Sequence, residues 1–360
     1  MVQNDFVSVT IVTYDSGRFI KRCLESVLSQ RYPLKEVIVV DNASTDGTID
    51  ILEQFEGRCQ VYYNEENIGF AAAQNQAIKL SNGDWVLTLN PDVLLLPNFI
   101  QALVDAGQSD SRIGSVCGKL LTMTSHFEIP ERPVVDSTGI YFNPMLRHLD
   151  RGSQEVDNGH YLQHEYVFGA TAAAALYRRV MIEEISLDGE FFDSDFFVYR
   201  EDADVAWRAQ LLGWRTLYTP AAEAFHVRTV TPANRRSLPA VINMHSVKNR
   251  FLMRIKNVTS GVYSRCWLRA TLRDLMVVGG SILWEPTSAA AFWHVARCLP
   301  RALARRRVIM SRRRAGDAEL AQWFNFHPTA QPAEMTESAA APAAFGAPAR
   351  PILLPADPRS

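Results

Sequence analysis

The chain contains no CxxC pair. Its five cysteines, Cys23, Cys59, Cys117, Cys266 and Cys298, are scattered and odd in number. That argues against a disulfide frame or a cysteine zinc site and suggests a reducing compartment. Net charge is also lacking: 37 Lys and Arg against 39 Asp and Glu leave −2. No global electrostatic case for nucleic-acid binding follows from that balance. Long apolar runs are missing too. The apolar uncharged stretch toward the C-terminus, residues 275–284, is ten residues; a spanning helix needs about 20 apolar ones, so no transmembrane segment is expected. No leader-like segment opens the sequence, and residues 1–6 run straight into an expected strand. Neither GxGxxG nor GxxxxGK[ST] occurs, which leaves dinucleotide-binding and P-loop readings unsupported. There is no internal repeat, and no Asp or Glu between 286 and 316.

What is present is an ordinary globular composition, 47% hydrophobic and 21% charged over 360 residues. That length suffices for about two domains' worth of core. The β-branched run Val7-Ser8-Val9-Thr10-Ile11-Val12-Thr13 predicts a strand. Phe19, Ile20, Cys23, Leu24, Val27 and Leu28 follow at helical spacing. Val37-Ile38-Val39-Val40 predicts a second strand ending at Asp41, and Gln60-Val61-Tyr62-Tyr63 a third. Residues 70–80 read as a helix with alanines on its packing face. Trp85-Val86-Leu87-Thr88-Leu89 reads as a core strand that ends in Asn90-Pro91-Asp92. Strands alternating with helices predict a mostly parallel sheet with helices on both faces. Between about 110 and 165 the pattern weakens into loops or a strand insertion. Residues 166–177 read as one strand with a Gly-Ala-Thr kink, and 216–218 as a short strand with His226 just beyond it.

Three acidic positions end core strands or open helices: Asp41, Asp92 and Asp202. Each has a plain structural reading. Asp41 starts a turn, Asp92 caps a helix, and Glu201, Asp202 and Asp204 occupy a helix's first turn, where acids are favoured. Together they converge on one sheet edge, where ligands bind in open α/β sheets, with Asn42, Asn67, Asn75 and Asn90 nearby. Acids without phosphate-binding glycines suit a metal-bridged diphosphate: Mg²⁺ or Mn²⁺ takes oxygen ligands and brings the anion with it. His226 could add an imidazole.

Five stretches carry a family resemblance: Val9-Thr10-Ile11-Val12-Thr13-Tyr14; Val39-Val40-Asp41-Asn42-Ala43-Ser44-Thr45-Asp46-Gly47-Thr48; Asn64-Glu65-Glu66-Asn67-Ile68-Gly69-Phe70; Asn90-Pro91-Asp92; and Phe196-Phe197-Val198-Tyr199-Arg200-Glu201-Asp202-Ala203-Asp204. Their order and content, over about residues 5–255, resemble the family 2 glycosyltransferases, and more narrowly their bacterial rhamnosyltransferase-like branch. The resemblance implies the α/β GT-A fold, a mostly parallel Rossmann-like sheet with helices on both faces. It implies a transferase domain over 1–240, with a nucleotide-binding half to about 110 and an acceptor-binding half from 111 to 240. It assigns Thr13, Tyr14 and Asp41 to the nucleoside, with Asp41 accepting from a uracil or thymine N3–H, and sets Asn67, Gly69 and Asn75 beside the nucleotide and donor sugar. Asn90 and Asp92 stand at the family's DxD metal motif, with Asn in place of the first Asp. Asp202 matches the general base, His226 a late metal ligand, and Glu201 and Asp204 cap or support the helix. The implied reaction is inverting transfer of a sugar, L-rhamnose from dTDP-L-rhamnose as the leading donor, to a hydroxyl of a cell-envelope or lipid-linked glycan. Other donors such as a UDP-hexose, a nucleotidyltransferase and a non-catalytic GT-A-like binding protein are the alternatives.

Residues 241–327 read as a basic helical C-terminal extension. Arg305, Arg306, Arg307, Arg312, Arg313 and Arg314 are interleaved with apolar residues. They suit either a solvated helical face or an interfacial helix on an anionic membrane. No nucleic-acid module accompanies them. A cytoplasmic protein, peripheral at the inner face of the cytoplasmic membrane, is the expectation. Residues 328–360, rich in Ala and Pro, read as a disordered tail.

Overall fold

The computed structural model describes residues 5–228, 240–283 and 286–324. The first half alternates strand and helix: β1 (Val7–Thr13), α1 (Ile20–Leu28), β2 (Lys35–Asp41), α2 (Thr48–Glu53), β3 (Gln60–Tyr63), α3 (Phe70–Leu80), β4 (Trp85–Leu89), β5 (Val93–Leu95) and α4 (Phe99–Gln108). Every residue of β1 and β4 is buried, as strands covered on both faces require. Helix α1 turns Ile20, Cys23, Leu24 and Val27 inward. β1 runs parallel to both β2 and β4, and β2 parallel to β3. Their carboxyl ends therefore share one edge, with Thr13 directly beside Asp41.

The second half contains β6 (Ile113–Thr122), β7 (Val135–Ser137), β8 (Ile140–Phe142), β9 (His148–Asp150), β10 (Glu165–Val167), β11 (Ala174–Arg178), α5 (Arg179–Ile185), α6 (Glu201–Leu211) and β12 (Arg215–His226). The main sheet runs β10-β12-β6-β11-β4-β1-β2-β3, with β5 on β12 and β7 on β6; β8 and β9 pair separately.

Three sequence expectations change here. The weak stretch after 110 holds β6, a ten-residue strand inside the sheet. Its glycines disguise it. A Cβ at Gly114 would sit 2.3 Å from the Met181 sulfur, and one at Gly118 2.3 Å from the Ala222 carbonyl oxygen. Both mark close packing rather than a break. Residues 166–177 are not one strand: β10 pairs antiparallel with β12, while β11 lies antiparallel between β4 and β6. Finally, the short strand at 216–218 is the start of β12, which runs on through a register shift between Tyr218 and Glu223 to include His226.

The C-terminal helices are α7 (Ala240–Asn257), α8 (Ser260–Leu283), α9 (Ala290–Arg312) and α10 (Asp317–Gln322). Leu252, Met253, Val262, Ala302, Ile309 and Phe324 join the core built on Phe142, Phe168 and Trp207. Part of the arginine cluster is engaged by the protein itself, although Arg307, Arg312 and Arg314 stay exposed. Buried Arg305 pairs with Asp188, Glu190 and Asp193. Arg306 donates to the carbonyls of Ile255 and Lys256. Arg313 pairs with Asp317 and Arg314 with Glu184. Among the described residues, no helix is long and apolar enough to cross a membrane. The tail expected to be disordered, 328–360, lies outside the described residues.

Candidate active site

The nucleoside end of the edge is built by β1 and β2. Thr13 Oγ1 and Ser44 Oγ each donate to Asp41 Oδ1 at 2.6 Å, and the Ser44 N–H donates to Oδ2 at 2.9 Å. Asp41 is fully buried. Three of its roughly four acceptor sites are occupied by the protein. Tyr14 beside it is 53% exposed, a free aromatic face at the rim. Asn67 Oδ1 accepts from the Gly69 N–H at 2.9 Å and closes the turn into α3. Gly69 has φ +87°, and a Cβ there would lie 2.5 Å from the Phe197 ring. Only glycine meets both demands.

Asn75 does a different job from the one the family resemblance assigns. Its Oδ1 accepts from the N–H groups of Phe191 and Phe192, and its Nδ2 donates to the Phe192 carbonyl at 2.7 Å. The side chain is buried with both ends committed to backbone, so it pins the segment after α5 instead of facing a sugar.

The acidic end forms where β4, β5 and β12 meet. Asp92 caps no helix: β5 follows directly, and α4 starts at Phe99. Strand β5 pairs antiparallel with the end of β12, setting Val93 beside His226. His226 Nε2 is 3.4 Å from Asp92 Oδ1, and its Nδ1 is 2.8 Å from Asp136 Oδ2. Burial alone would push the imidazole down; Asp92 and Asp136 outweigh it and raise the group to about 10. Arg228 continues the chain of charge, at 2.6 Å from Asp136 and 2.5 Å from Asp150. Sequence reasoning missed Asp136, Asp150 and Arg228. The two acids lie in the stretch without periodicity, and nothing local to Arg228 sets it apart.

Asp202 reaches this cluster through one loop. The Ala172 N–H donates to Asp202 Oδ2 at 3.4 Å, while the next carbonyl, Ala173, accepts from the Asn90 N–H at 2.9 Å. Residues 172 and 173 thus tie the candidate base to the Asn90-Pro91-Asp92 turn. Burial first, then Asp150, pushes the Asp202 carboxyl up to about 6, against backbone N–H donation from Ala203 and Ala172 and the Arg200 charge. Neighbouring Glu201 is buried and raised well above the usual carboxylate range, by burial and then by Asp202. Its Oε2 has no partner.

Asp204 is not a helix-capping charge. It is fully buried and accepts from Arg208 Nε at 2.9 Å, Lys256 Nζ at 2.9 Å and Asn257 Nδ2 at 2.7 Å.

The turn that presents Glu201 and Asp202 is strained. Phe197, Tyr199 and Arg200 have φ of 65°, 68° and 71°. The Val198 N–H closes a three-residue ring to the Phe196 carbonyl at 2.7 Å, with Phe197 near φ 65°, ψ −64°, a rare and strained γ-turn. Helix α7 holds it. Buried Asn249 Nδ2 lies 2.8 to 2.9 Å from the carbonyls of Phe196, Val198 and Tyr199. His245 stacks on Phe197 with centroids 4.8 Å apart. Asn249→Ala is expected to lower stability by about 1–3 kcal/mol, because buried acceptors lose their donor. It should also slow transfer more than it weakens donor binding. Urea midpoints, together with donor affinity and turnover of the folded variant, check this; unchanged turnover would make Asn249 a purely structural residue.

Asp92 and His226 suit a divalent cation. One offers a carboxylate oxygen and the other an imidazole nitrogen; Asp136 already holds Nδ1, so a metal displacing the Nε2 proton would take that nitrogen. Among the described residues, no group of three such side chains could hold a metal ion. The remaining ligands would come from a substrate diphosphate and water.

A mostly parallel sheet with Asp41, Asp92 and Asp202 gathered at its carboxyl edge is the architecture of the GT-A class of glycosyltransferases. The comparisons agree. The model of glycosyl transferase family 2 matches residues 8–185, and the chain belongs to that family: it is a glycosyltransferase. It is 28% identical over 245 residues to the N-acetylglucosaminyl-diphospho-decaprenol L-rhamnosyltransferase of Mycobacterium tuberculosis, covering 62% of this chain and 76% of that one. It is 44% identical over 89 residues to the putative teichuronic acid biosynthesis glycosyltransferase TuaG of Bacillus subtilis, 24% of this chain and only 35% of that protein's length. Among solved structures it resembles GalNAc-T7 with UDP, GalNAc and Mn²⁺ (TM-score 0.56, 15% identity, 71% of this chain and 48% of that one). It also resembles the mannosyltransferase PcManGT from Pyrobaculum calidifontis with GDP-Man and Mn²⁺ (TM-score 0.50, 16% identity, 89% and 88%). These likenesses show the fold.

Proposed function

We propose that the protein catalyses inverting transfer of a sugar from a nucleoside-diphosphate donor to a hydroxyl of a cell-envelope or lipid-linked glycan, with dTDP-L-rhamnose as the leading donor. The observation that carries the reading is the two-residue bridge at 172–173, which sets Asp202 on the same edge as Asp92 and His226. In this scheme Asp202 takes the proton of the acceptor hydroxyl while that oxygen bonds to the anomeric carbon. The bond from that carbon to the diphosphate oxygen breaks, and its electron pair leaves with the nucleotide. No covalent sugar–protein intermediate is needed. Asp92 and His226 would hold Mg²⁺ or Mn²⁺, which when bound supplies positive charge to the departing diphosphate. Tyr14, Thr13 and Asp41 would border the nucleoside, and Asn67, Gly69 and Asn90 the donor sugar side.

The rhamnose reading is supported by the mycobacterial relative, which aligns over most of its own length. Donor screening of the purified protein against dTDP-rhamnose and several UDP-sugars tests it. Turnover of a UDP-hexose alone would replace it while leaving the transferase standing.

The metal part has its own test. Excess EDTA is expected to abolish transfer, and Asp92→Ala to weaken donor binding as well as turnover, because the metal would hold the diphosphate. Full activity in chelator would remove the metal from the scheme.

A further inference from the structure

Arg301 and Arg305 of α9 are tied to the protein's own acids, yet α8 carries an apolar face with no partner among the described residues. Leu268, Leu272, Leu275, Met276, Ile282 and Leu283 are all exposed, from 51% at Leu272 to 71% at Leu283. Their spacing at i, i+4, i+7, i+8, i+14 and i+15 puts them on one stripe of the helix. The opposite stripe, Val262, Cys266, Ala270 and Ser281, is buried against the protein. The outward stripe runs about 22 Å at about 1.5 Å per residue. A single exposed leucine means little, but a continuous stripe of six marks an interaction surface.

The rim of this stripe indicates what covers it. Arg265 and Arg269 are exposed along one flank, and Trp267 is exposed along the other. The one acid of the helix, Asp274, is engaged by Arg250 and Arg254 of α7. The face therefore presents apolar side chains, two cations and an indole, with no carboxylate of its own. A second copy pairing through the same helix would bring no acid from that helix to those arginines. An anionic lipid surface offers both an apolar layer and negative headgroups, and indoles favour the level between them.

We propose that α8 is the protein's membrane seat: it lies in the plane of an anionic bilayer with the Leu268-to-Leu283 stripe in the acyl boundary and Arg265 and Arg269 among the headgroups. The proposal stands on this face alone and does not depend on which sugar is transferred. It moves the lipid contact from the arginine cluster of α9 to α8. The seat would also sit close to the catalytic edge, since α7, which engages Asp274 of α8, also holds the turn before Asp202.

The test is co-sedimentation of the full-length protein with vesicles of phosphatidylcholine alone or rich in phosphatidylglycerol. The native protein is expected to bind the anionic vesicles, with a blue shift of tryptophan emission that Trp267→Phe diminishes. The double change Leu272→Glu with Leu275→Glu touches exposed positions and should fold normally. It is expected to weaken binding at least about a hundredfold, as two leucines lose their burial. Arg265→Gln with Arg269→Gln should weaken binding to the anionic vesicles roughly thirtyfold. Native-strength binding by the leucine variant would overturn the proposal. So would absence of binding by the native protein, including the case where gel filtration finds a dimer that the leucine variant loses, which would make a second copy the occupant.

Discussion

Asp202→Asn is expected to fold, to bind the nucleotide sugar with near-native affinity and to lose at least about a hundredfold in transfer rate, because general-base catalysis is worth about 10²–10⁴-fold. Asparagine keeps the size and the ability to accept from the Ala203 N–H, now 2.7 Å from Oδ1. It cannot take a proton. Burial and Asp150 raise this carboxyl to about 6, so it is ionised at neutral pH yet more basic than an ordinary aspartate. Transfer by the native protein should therefore fall as pH drops through about 6, because the protonated carboxyl no longer accepts. The same acid limb should be missing from the residual activity of the variant. A structural acid in a helix's first turn would behave otherwise, costing about 0.3–1 kcal/mol of stability and little turnover. Single-turnover rates measured beside donor affinity separate the two. A mild loss with an intact acid limb would place the base on another group.

Lys256→Met is expected to lower stability by about 3–5 kcal/mol, the cost of leaving buried carboxylates without their cation. Lys256 Nζ contacts both Asp193 and Asp204, and all three are buried. Arg208 and Arg305 complete the cluster. It bolts α7 and α9 onto α6 and the segment before the turn that presents Asp202. Asp204→Asn should be similarly damaging, since a neutral amide cannot accept from Arg208, Lys256 and Asn257 together. Burial alone would raise Asp193, but Lys256 and Arg305 outweigh it and hold it well below the usual carboxylate range. Because the folded value is depressed, its contribution is full above about pH 4 to 5 and fades as pH falls below that. Urea unfolding at neutral pH reads the loss. A change under about 1 kcal/mol would return Asp204 to the role of a helix charge.

The parts legible in the linear chain were those where one element decides its own fate. The runs of β1 and β4 are dominated by apolar and β-branched residues, and α3 has its predicted bounds, Phe70–Leu80. Once the strand–helix alternation is read, the acids at strand ends must share an edge. What remained hidden depends on partners far along the chain. β6 looks like a loop because Gly114 and Gly118 make room for Met181 and Ala222, residues about 70 and 100 positions away. Asp136 and Arg228 become part of a charged chain only when β12 runs on to His226 beside β5.

Charge is the least readable property, because its role is set by burial. Asp202 and Asp204 stand two residues apart on one helix with the same local signal. Tertiary packing links the first, through Ala172 and Ala173, to the Asn90-Pro91-Asp92 turn and closes the second around Lys256. Likewise the arginines of α9 look like a surface on paper, and the acids of the α5–α6 connection draw Arg305 inward. The apolar stripe of α8 is left outside because its helix has another side to bury. Sequence alone determined the chemistry available at the edge; three-dimensional packing decided which charges water or a substrate can still reach. A buried charge is stable only with a partner, and that partner comes from wherever the fold supplies one.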